Sequence, residues 1–480
     1  MPYNSLSDFV QVLERAGELK RITHPVKAEL EIAEIADRVM KATGPALLFE
    51  NVIGKKIPLL INAFGSTKRM AMALGVSDIE ELASEIAQLI QIQPPKTLKD
   101  KIRLAGELIK LAGLPPRSVK DGVCHEVIER EPDLGILPVL TCWPGDAGPF
   151  ITLPMVFSKD PVKGTRNVGL YRMQIFDARS TGMHWHLHKV GARHFQHQKA
   201  AAGKMELAVC LGGDPAMIYA ATAPLPDQID EILFAGFLRK KGVELIKGMT
   251  VDVEVPANSD IVIEGYVDPA EPLRREGPFG DHTGFYSLAD DYPVFHVTAI
   301  THRKDPIYPT TIVGRPPMED AYLGKATERL FMPLIRVTLP EIIDINLPPY
   351  GVFHNLALVS IRKEYPGHAR KVMHALWGLG QMMFTKILIV VDHDVNVQDL
   401  SEVTWVAGNH IDPKRDIVFV DGPVDVLDHA APRMGYGSKV GIDATRKCPG
   451  EGFAREWPEA IAMDETTKKY IHSIWGKLGI

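Results

Sequence analysis

The chain has 480 residues, 45% hydrophobic and 24% charged, and its 54 basic and 60 acidic residues give a net charge of −6. That composition belongs to a globular protein too long for one core, with a soft expectation of about three domains. The mild charge and the lack of a basic run argue against a nucleic-acid or anionic-membrane surface. Cys124, Cys142, Cys210 and Cys448 form no CxxC pair, so neither a zinc ribbon nor a disulfide framework is suggested, and scattered thiols fit a reducing cytoplasm. No signal pattern opens the sequence and no apolar run approaches the ~18 residues of a membrane span. The reading is cytoplasmic.

In chain order, a first helix is expected with Ser5 or Ser7 as its cap, Phe9, Val12, Leu13 and Ala16 at helical spacing, and Gly17 as its stop. A second helix over Glu29–Lys41, strands at 46–49 and 57–61, and helices at 66–74, 78–92 and 99–112 make an N-terminal α+β domain over residues 1–118. Leu114-Pro-Pro-Arg-Ser118 reads as the linker. Residues 119–312 change texture: short β-rich runs at 151–157, 168–175, 207–211, 251–255, 261–265 and 294–300, separated by Gly and Pro, predict a barrel or sandwich. One helical insert is expected at 228–240, with Ile229, Ile232, Leu233 and Gly236 on one side. From 313 to 480 strands at 356–361, 386–392 and 416–420 alternate with helices at 367–378 and 397–408, which predicts a small parallel α/β layer. An amphipathic tail helix over 466–478 closes the C-terminal domain.

Several stretches carry residues able to do chemistry. Glu276-Gly-Pro-Phe-Gly-Asp281 is a stiff turn holding two carboxylates five residues apart, with His282 directly after. Taken alone it reads as a solvated turn, and the active alternative is a general acid/base pair. His184, His186 and His188 would share one face if their segment were a strand, as a metal site requires; incidental spacing is the competing reading. Arg172 ends an apolar strand and could hold a carboxylate or phosphate. Asp230 and Glu231 open the helical insert, as dipole partners or, for Glu231, as a hard oxygen ligand suited to Mn²⁺ or Mg²⁺. Lys325 and the Asp392-His393-Asp394 cluster are weaker candidates, and no GxSxG, HExxH or GxGxxG motif is present.

Six segments in register, NVGLYR at 167–172, HWHLHKV at 184–190, DEILFAGFLR at 230–239, EVPANSDIVIEG at 254–265, EGPFGDHTGFY at 276–286 and KILIVVDHDVN at 386–396, resemble the UbiD family of prenylated-flavin-dependent decarboxylases over essentially the whole chain. The resemblance implies a central split β-barrel that binds prenylated FMN, between an N-terminal α+β domain and a C-terminal α/β oligomerisation domain. It implies a metal site of Asn167, His188 and Glu231 for Mn²⁺, with K⁺ as a further candidate ion. It places cofactor contacts at Asn167, Leu170, Tyr171, Arg172, His184, Trp185, His186, Lys189, Val190 and Glu231, and a catalytic triad at Arg172, Glu276 and Asp281. Asp281 would protonate carbon after CO₂ leaves, which calls for a raised pKa. The implied reaction is reversible, non-oxidative decarboxylation of a hydroxybenzoate-like acid, with a 3-polyprenyl-4-hydroxybenzoate of quinone synthesis as first choice. A menaquinone-pathway naphthoate and a simple phenolic acid are the alternatives. The implied partners are a flavin prenyltransferase that supplies the cofactor, further copies of the chain in a dimer or hexamer, and the membrane surface if the substrate is prenylated. Two other classes stay open: a flavin-free metal enzyme using His184, His186 and His188, and a non-catalytic carboxylase subunit.

Overall fold

The computed structural model describes residues 3–90, 113–186, 189–226 and 229–480; the helix expected at 99–112 lies outside them. The first helix, Leu6–Arg15, is capped as its sequence predicts. Ser5 accepts a hydrogen bond from the Asp8 N–H, and Phe9 and Leu13 are fully buried. With Glu31–Lys41, Thr67–Ala73 and Ile79–Ile90 it packs around a four-stranded sheet ordered Leu19–Ile22, Ala46–Phe49, Leu59–Ile61, Tyr308–Pro309. The last of these strands comes from far along the chain and ties the N-terminal layer to the centre.

A nine-stranded antiparallel sheet forms the centre. Its path runs Phe150–Ile151, Met173–Asp177, Ser180–Gly182, Val294–His302, Ile261–Val267, Met205–Leu211, Met155–Lys159 and Arg166–Leu170, with Val127–Glu129 added beside Val294–His302. Alternation buries both faces. Leu207, Val209, Ile261 and Ile263 join one core, while Ala208, Cys210 and Val262 join another. Strands Arg166–Leu170 and Met173–Asp177 lie six positions apart on this path, yet only Tyr171 and Arg172 separate them in sequence. Laid flat, six spacings of about 4.8 Å would part them by roughly 29 Å. A two-residue link spans roughly 10 Å at most. The sheet therefore has to curl, and it is a half-barrel. Bulges at Glu264/Gly265 and Ser180/Thr181 supply bends.

The helical insert is Glu231–Arg239. Its buried side is Ile232, Phe234, Ala235, Gly236 and Leu238, whereas Ile229 and Leu233 are exposed. The expected face was thus displaced, because the phenylalanine and alanine positions pack inward. Two further helices, Val190–Ala201 and Pro215–Ala220, also interrupt the strands. The C-terminal sheet is mixed rather than parallel, ordered Ile342–Asn346, Leu356–Ile361, Ile387–Asp392, Tyr436–Asp443, Ile417–Pro423, with antiparallel pairing at both edges. Ala357 and Val359 face the core under helix His368–Trp377, and Leu358 faces that under Leu400–His410. The tail helix, Glu465–Ile474, buries no residue.

Ile263 is fully buried between strands Met205–Leu211 and Val294–His302. Ile263→Ala removes three carbons from a core with strands on both sides. We expect a loss of about 2–5 kcal/mol, read as a lower denaturant midpoint.

Candidate active site

The two-residue link places Arg172 at the seam of the curled sheet. Its guanidinium is clamped from three directions: Nε donates to Glu276 Oε1 at 3.1 Å, Nη1 to Asp281 Oδ2, and Nη2 to Ser287 Oγ at 3.1 Å. Phe279 lies 4.6 Å and Phe150 5.9 Å from its central carbon, close enough for cation–π attraction. The Glu276 side chain is fully buried, and Arg172 and Asp281 are nearly so. The solvated-turn reading of these acids is thereby set aside.

The turn that carries both acids is a short hairpin. Arg274–Glu276 pairs with Asp290–Tyr292, and Phe279–Gly280 with Tyr286–Ser287. Gly277 has φ +85 and donates to Gln174 Oε1 at 2.8 Å. At Gly280 a Cβ would sit 2.2 Å from Trp143 Cδ1, so only glycine fits. Its N–H donates to Asp146, which also accepts from the Cys142 and Trp143 amides.

His184 and His186 follow the strand Ser180–Gly182 but are not themselves in a strand, which corrects the strand reading. They still converge: His184 Nδ1 lies 2.8 Å from Glu276 Oε1, and its Nε2 lies 2.6 Å from His186 Nε2. Tyr292 packs on His184 at 4.3 Å. Burial lowers the pKa of both imidazoles, that of His186 to about 3, with Arg172 adding repulsion. Neutral rings can share the Nε2···Nε2 hydrogen; two cations could not. His188 lies outside the described residues.

Asp281 departs from the expectation of a raised pKa. Burial does push its carboxyl up, but His282 and Arg172 outweigh that and hold it well below the usual carboxylate range. His282 Nδ1 lies 2.9 Å from Asp281 Oδ1, and its Nε2 lies 2.8 Å from His354 Nε2. Ser287 and His354 carried no local sequence signal; His282 did, by adjacency to Asp281.

At the next corner, Asp230 caps the helix, accepting from the Ile232 N–H at 2.7 Å and pairing with Arg166 at 2.8 Å. That frees Glu231, whose Oε2 accepts from the Val168 N–H at 3.2 Å beside Asn167. Burial and then Asp230 push the Glu231 carboxyl up to about 7. A buried carboxylate beside an asparagine is an oxygen set that suits a hard divalent cation. Among the described residues no three His, Cys, Asp or Glu side chains form a metal set. Trp185 Nε1 and Glu276 Oε2 are buried without a protein partner, as polar atoms that meet a bound group would be. The N–H end of helix Val190–Ala201 begins at Lys189 and suits a phosphate. Leu170 and the buried Tyr171 complete the corner, the Tyr171 hydroxyl lying 3.4 Å from both Asn167 Nδ2 and Gly191 N. The residues present therefore fit a phosphorylated flavin with a divalent ion.

The weaker candidates lie elsewhere. Lys325 binds Glu328 and Asn346. Asp392 and Asp394 hold the Arg446 backbone and side chain.

Three domain families match in order: the 3-octaprenyl-4-hydroxybenzoate carboxy-lyase N-terminal domain at 10–89, its Rift-related domain at 117–316 and its C-terminal domain at 321–444. The chain belongs to the UbiD family. An uncharacterized protein of Aquifex aeolicus is 52% identical over 100% of this chain and 99% of its own length. Among solved structures, the UbiD-class enzyme HmfF from Pelotomaculum thermopropionicum, in complex with FMN, is 32% identical, covering 97% of this chain and 98% of its own, with a TM-score of 0.81. The closed form of Sedimentibacter hydroxybenzoicus vanillic acid decarboxylase is 27% identical, covering 99% of both chains, with a TM-score of 0.85. This UbiD protein is thus a carboxy-lyase by family.

Replacing Arg172 by Met leaves Glu276 and Asp281 buried without their cation, and we expect a loss of about 3–5 kcal/mol. The sign for Asp281 follows from its lowered pKa. The stability it contributes is present above the ordinary carboxylate pKa of about 3.9 and disappears as pH falls below that value toward the folded pKa. Denaturation curves across that acid range should show a steep limb in the parent and a shallower one in Asp281→Asn.

Proposed function

We propose that this UbiD protein decarboxylates a hydroxybenzoate-like aromatic acid with prenylated FMN. The observation that carries the reading is the buried Arg172–Glu276–Asp281 cluster beside a corner fit for a flavin phosphate and a cation. Losing CO₂ from an aromatic ring leaves an sp² carbanion that no side chain can stabilise. The modified isoalloxazine supplies that electron sink when bound. The protein's own residues do the rest. Arg172 orients the substrate carboxylate by a charge-assisted fork. Glu276 fixes the guanidinium through Nε and the His184 ring through Nδ1. Asp281 supplies the proton that replaces CO₂. Asn167, Glu231 and His188 would hold Mn²⁺, with K⁺ as a further ion, and Leu170, Tyr171, Trp185, His186, Lys189 and Val190 would line the cofactor.

Polar groups crowd the side of Asp281 away from Arg172: His282 and His354 lie in line, and Asp320 and Asp425 act on His282. That chemistry favours a small hydroxylated aromatic acid over a polyprenylated one, and the vanillic acid decarboxylase likeness agrees with it. The quinone-pathway substrate becomes the second reading, and with it contact with a membrane surface; among the described residues no helix is long and apolar enough to cross a membrane. A flavin prenyltransferase would supply the cofactor. Tyr470 on the tail helix and Trp475 directly after it are exposed, a surface suited to a further copy in a dimer or hexamer.

Co-expression with a flavin prenyltransferase, mass spectrometry of the released cofactor and a panel of aromatic acids test the reading. CO₂ release from a phenolic acid by the prenylated-FMN protein is the expected result; activity in a colourless, flavin-free preparation would sink it. In the same assay Asp281→Asn should lower kcat by about 10²–10⁴ while the flavin stays bound.

A further inference from the structure

An acid held below its ordinary pKa is a poor proton donor, so the proton that Asp281 delivers needs a source. The geometry around Asp281 provides one. Oδ1 accepts from the His282 backbone N–H at 2.7 Å and lies 2.9 Å from Nδ1 of the same residue. A carboxylate only accepts, so Nδ1 carries a hydrogen. The other ring edge faces His354, Nε2 to Nε2 at 2.8 Å, where one ring must donate and the other accept. His354 comes from the C-terminal unit, just after the turn Pro349–Gly351 and just before strand Leu356–Ile361. Burial and then the neighbouring His282 charge lower its pKa to about 4, so it is the neutral acceptor. Phe353, at φ 41, packs on the His282 ring at 5.5 Å.

The charges facing His282 come from every side. Burial opposes its cation, but Asp281 outweighs that, helped by Asp320 from helix Glu319–Thr338 and Asp425 beyond strand Ile417–Pro423; its pKa is raised above the ordinary 6.5. Arg172 acts on Asp281 from the opposite face. His354 also faces Asp425 and Asp428, and Asp428 is paired with Lys386 at 2.8 Å.

We propose that His282 is the proton store of this site, and that His354 is the positioning residue that holds its ring against Asp281 from the C-terminal unit. The proposal rests on the reading of Asp281 as proton donor. When Arg172 engages the substrate carboxylate in place of Asp281, the His282 Nδ1–H bond breaks and an Asp281 Oδ1–H bond forms. An imidazolium and a carboxylate become an imidazole and a carboxylic acid, with no change in net charge. The Asp281 O–H bond then breaks as the new C–H bond forms at the carbon that lost CO₂. In each turnover water returns one proton to His282, and the hydroxide left behind combines with the released CO₂ as bicarbonate. A lowered carboxylate pKa in the resting site is then compatible with acid catalysis.

The test uses the prenylated-FMN holoenzyme and the best substrate of the panel. His282→Gln should lower kcat about 100-fold at about pH 8, with KM and flavin content held, and should move the alkaline limb of the kcat profile to lower pH. His354→Gln should move the same limb in the same direction by less. In ¹⁵N spectra of the parent protein's histidines, one imidazolium should titrate above 6.5 and return toward that value in Asp281→Asn. An unchanged pH profile in both histidine variants, beside an inactive Asp281→Asn, overturns the store and leaves the decarboxylase reading intact. Turnover at the parent rate by Asp281→Asn overturns the donor role beneath it. If His282→Gln does not fold, the His354→Gln profile and the ¹⁵N titration decide; neutral histidines throughout at pH 7 overturn the proposal.

Discussion

Leu170 and Met173 are three residues apart in the chain and lie in strands six places apart in the sheet. That short link forces the central sheet to curl, and it sets Arg172 at the point where the two ends meet. A guanidinium there cannot stay unpaired. Removing it from water carries a penalty of several kcal/mol that only close anions offset. The hairpin supplies them, with Glu276 on Nε and Asp281 on Nη1. The conformation of residues 276–281 follows from this need, and so does the support beneath it: Asp146 under Gly280, Gln174 under Gly277, and Phe279 against the guanidinium face.

The two acids receive unequal environments although they sit in one short turn. Glu276 is turned into the barrel, where Arg172 and His184 both reach one oxygen and leave the other without a protein partner. Asp281 is turned toward the C-terminal unit, where a chain of two imidazoles meets it. One position is fixed and dry, as a group that orients another should be. The other is connected to a string of titratable groups, as a group that exchanges protons should be. Five residues of separation do not produce that difference. The partners on either side do.

Local signals made part of this legible. The Ser5 cap, the strands Ala46–Phe49 and Leu356–Ile361, and the alternation of the central strands are written in nearest-neighbour pattern, and the structure follows them. Helix Val190–Ala201 was not legible, because Arg193, His194, Gln196 and His197 break any apolar stripe along it. The C-terminal sheet was read as parallel because two of its strands were missed, Ile342–Asn346 at one edge and Tyr436–Asp443 just inside the other; Asp, Asn, Lys and Gly within them hide their period. At the candidate site, Arg172, Glu276, Asp281 and Glu231 were singled out through motif order, and the structure buries Arg172, Glu276 and Asp281 in one cluster. The charge state of Asp281 was not legible, since Arg172, one of the two residues that set it, is far away in the chain and only the fold brings it to Asp281.

The contacts that complete the site from the C-terminal side are few and mostly polar or aromatic. His354 meets His282, and His429 packs on Phe285 at 4.2 Å. Asp425 acts on His186, Lys189, His282 and His354 together. These polar contacts are local to the site: helix Glu319–Thr338 joins the C-terminal unit to the rest through Leu323, Ala326 and Leu330 in a large apolar cluster. On the other side the N-terminal layer shares a strand, Tyr308–Pro309, and a second large apolar cluster with the centre. A site that must admit a substrate and then exclude water needs one wall of each kind. The apolar wall holds the flavin corner and Arg172 in fixed geometry, while the polar wall carries charges whose effect on Asp281 depends on contact. Proton chemistry at Asp281 is then tied to whether that polar wall is in place.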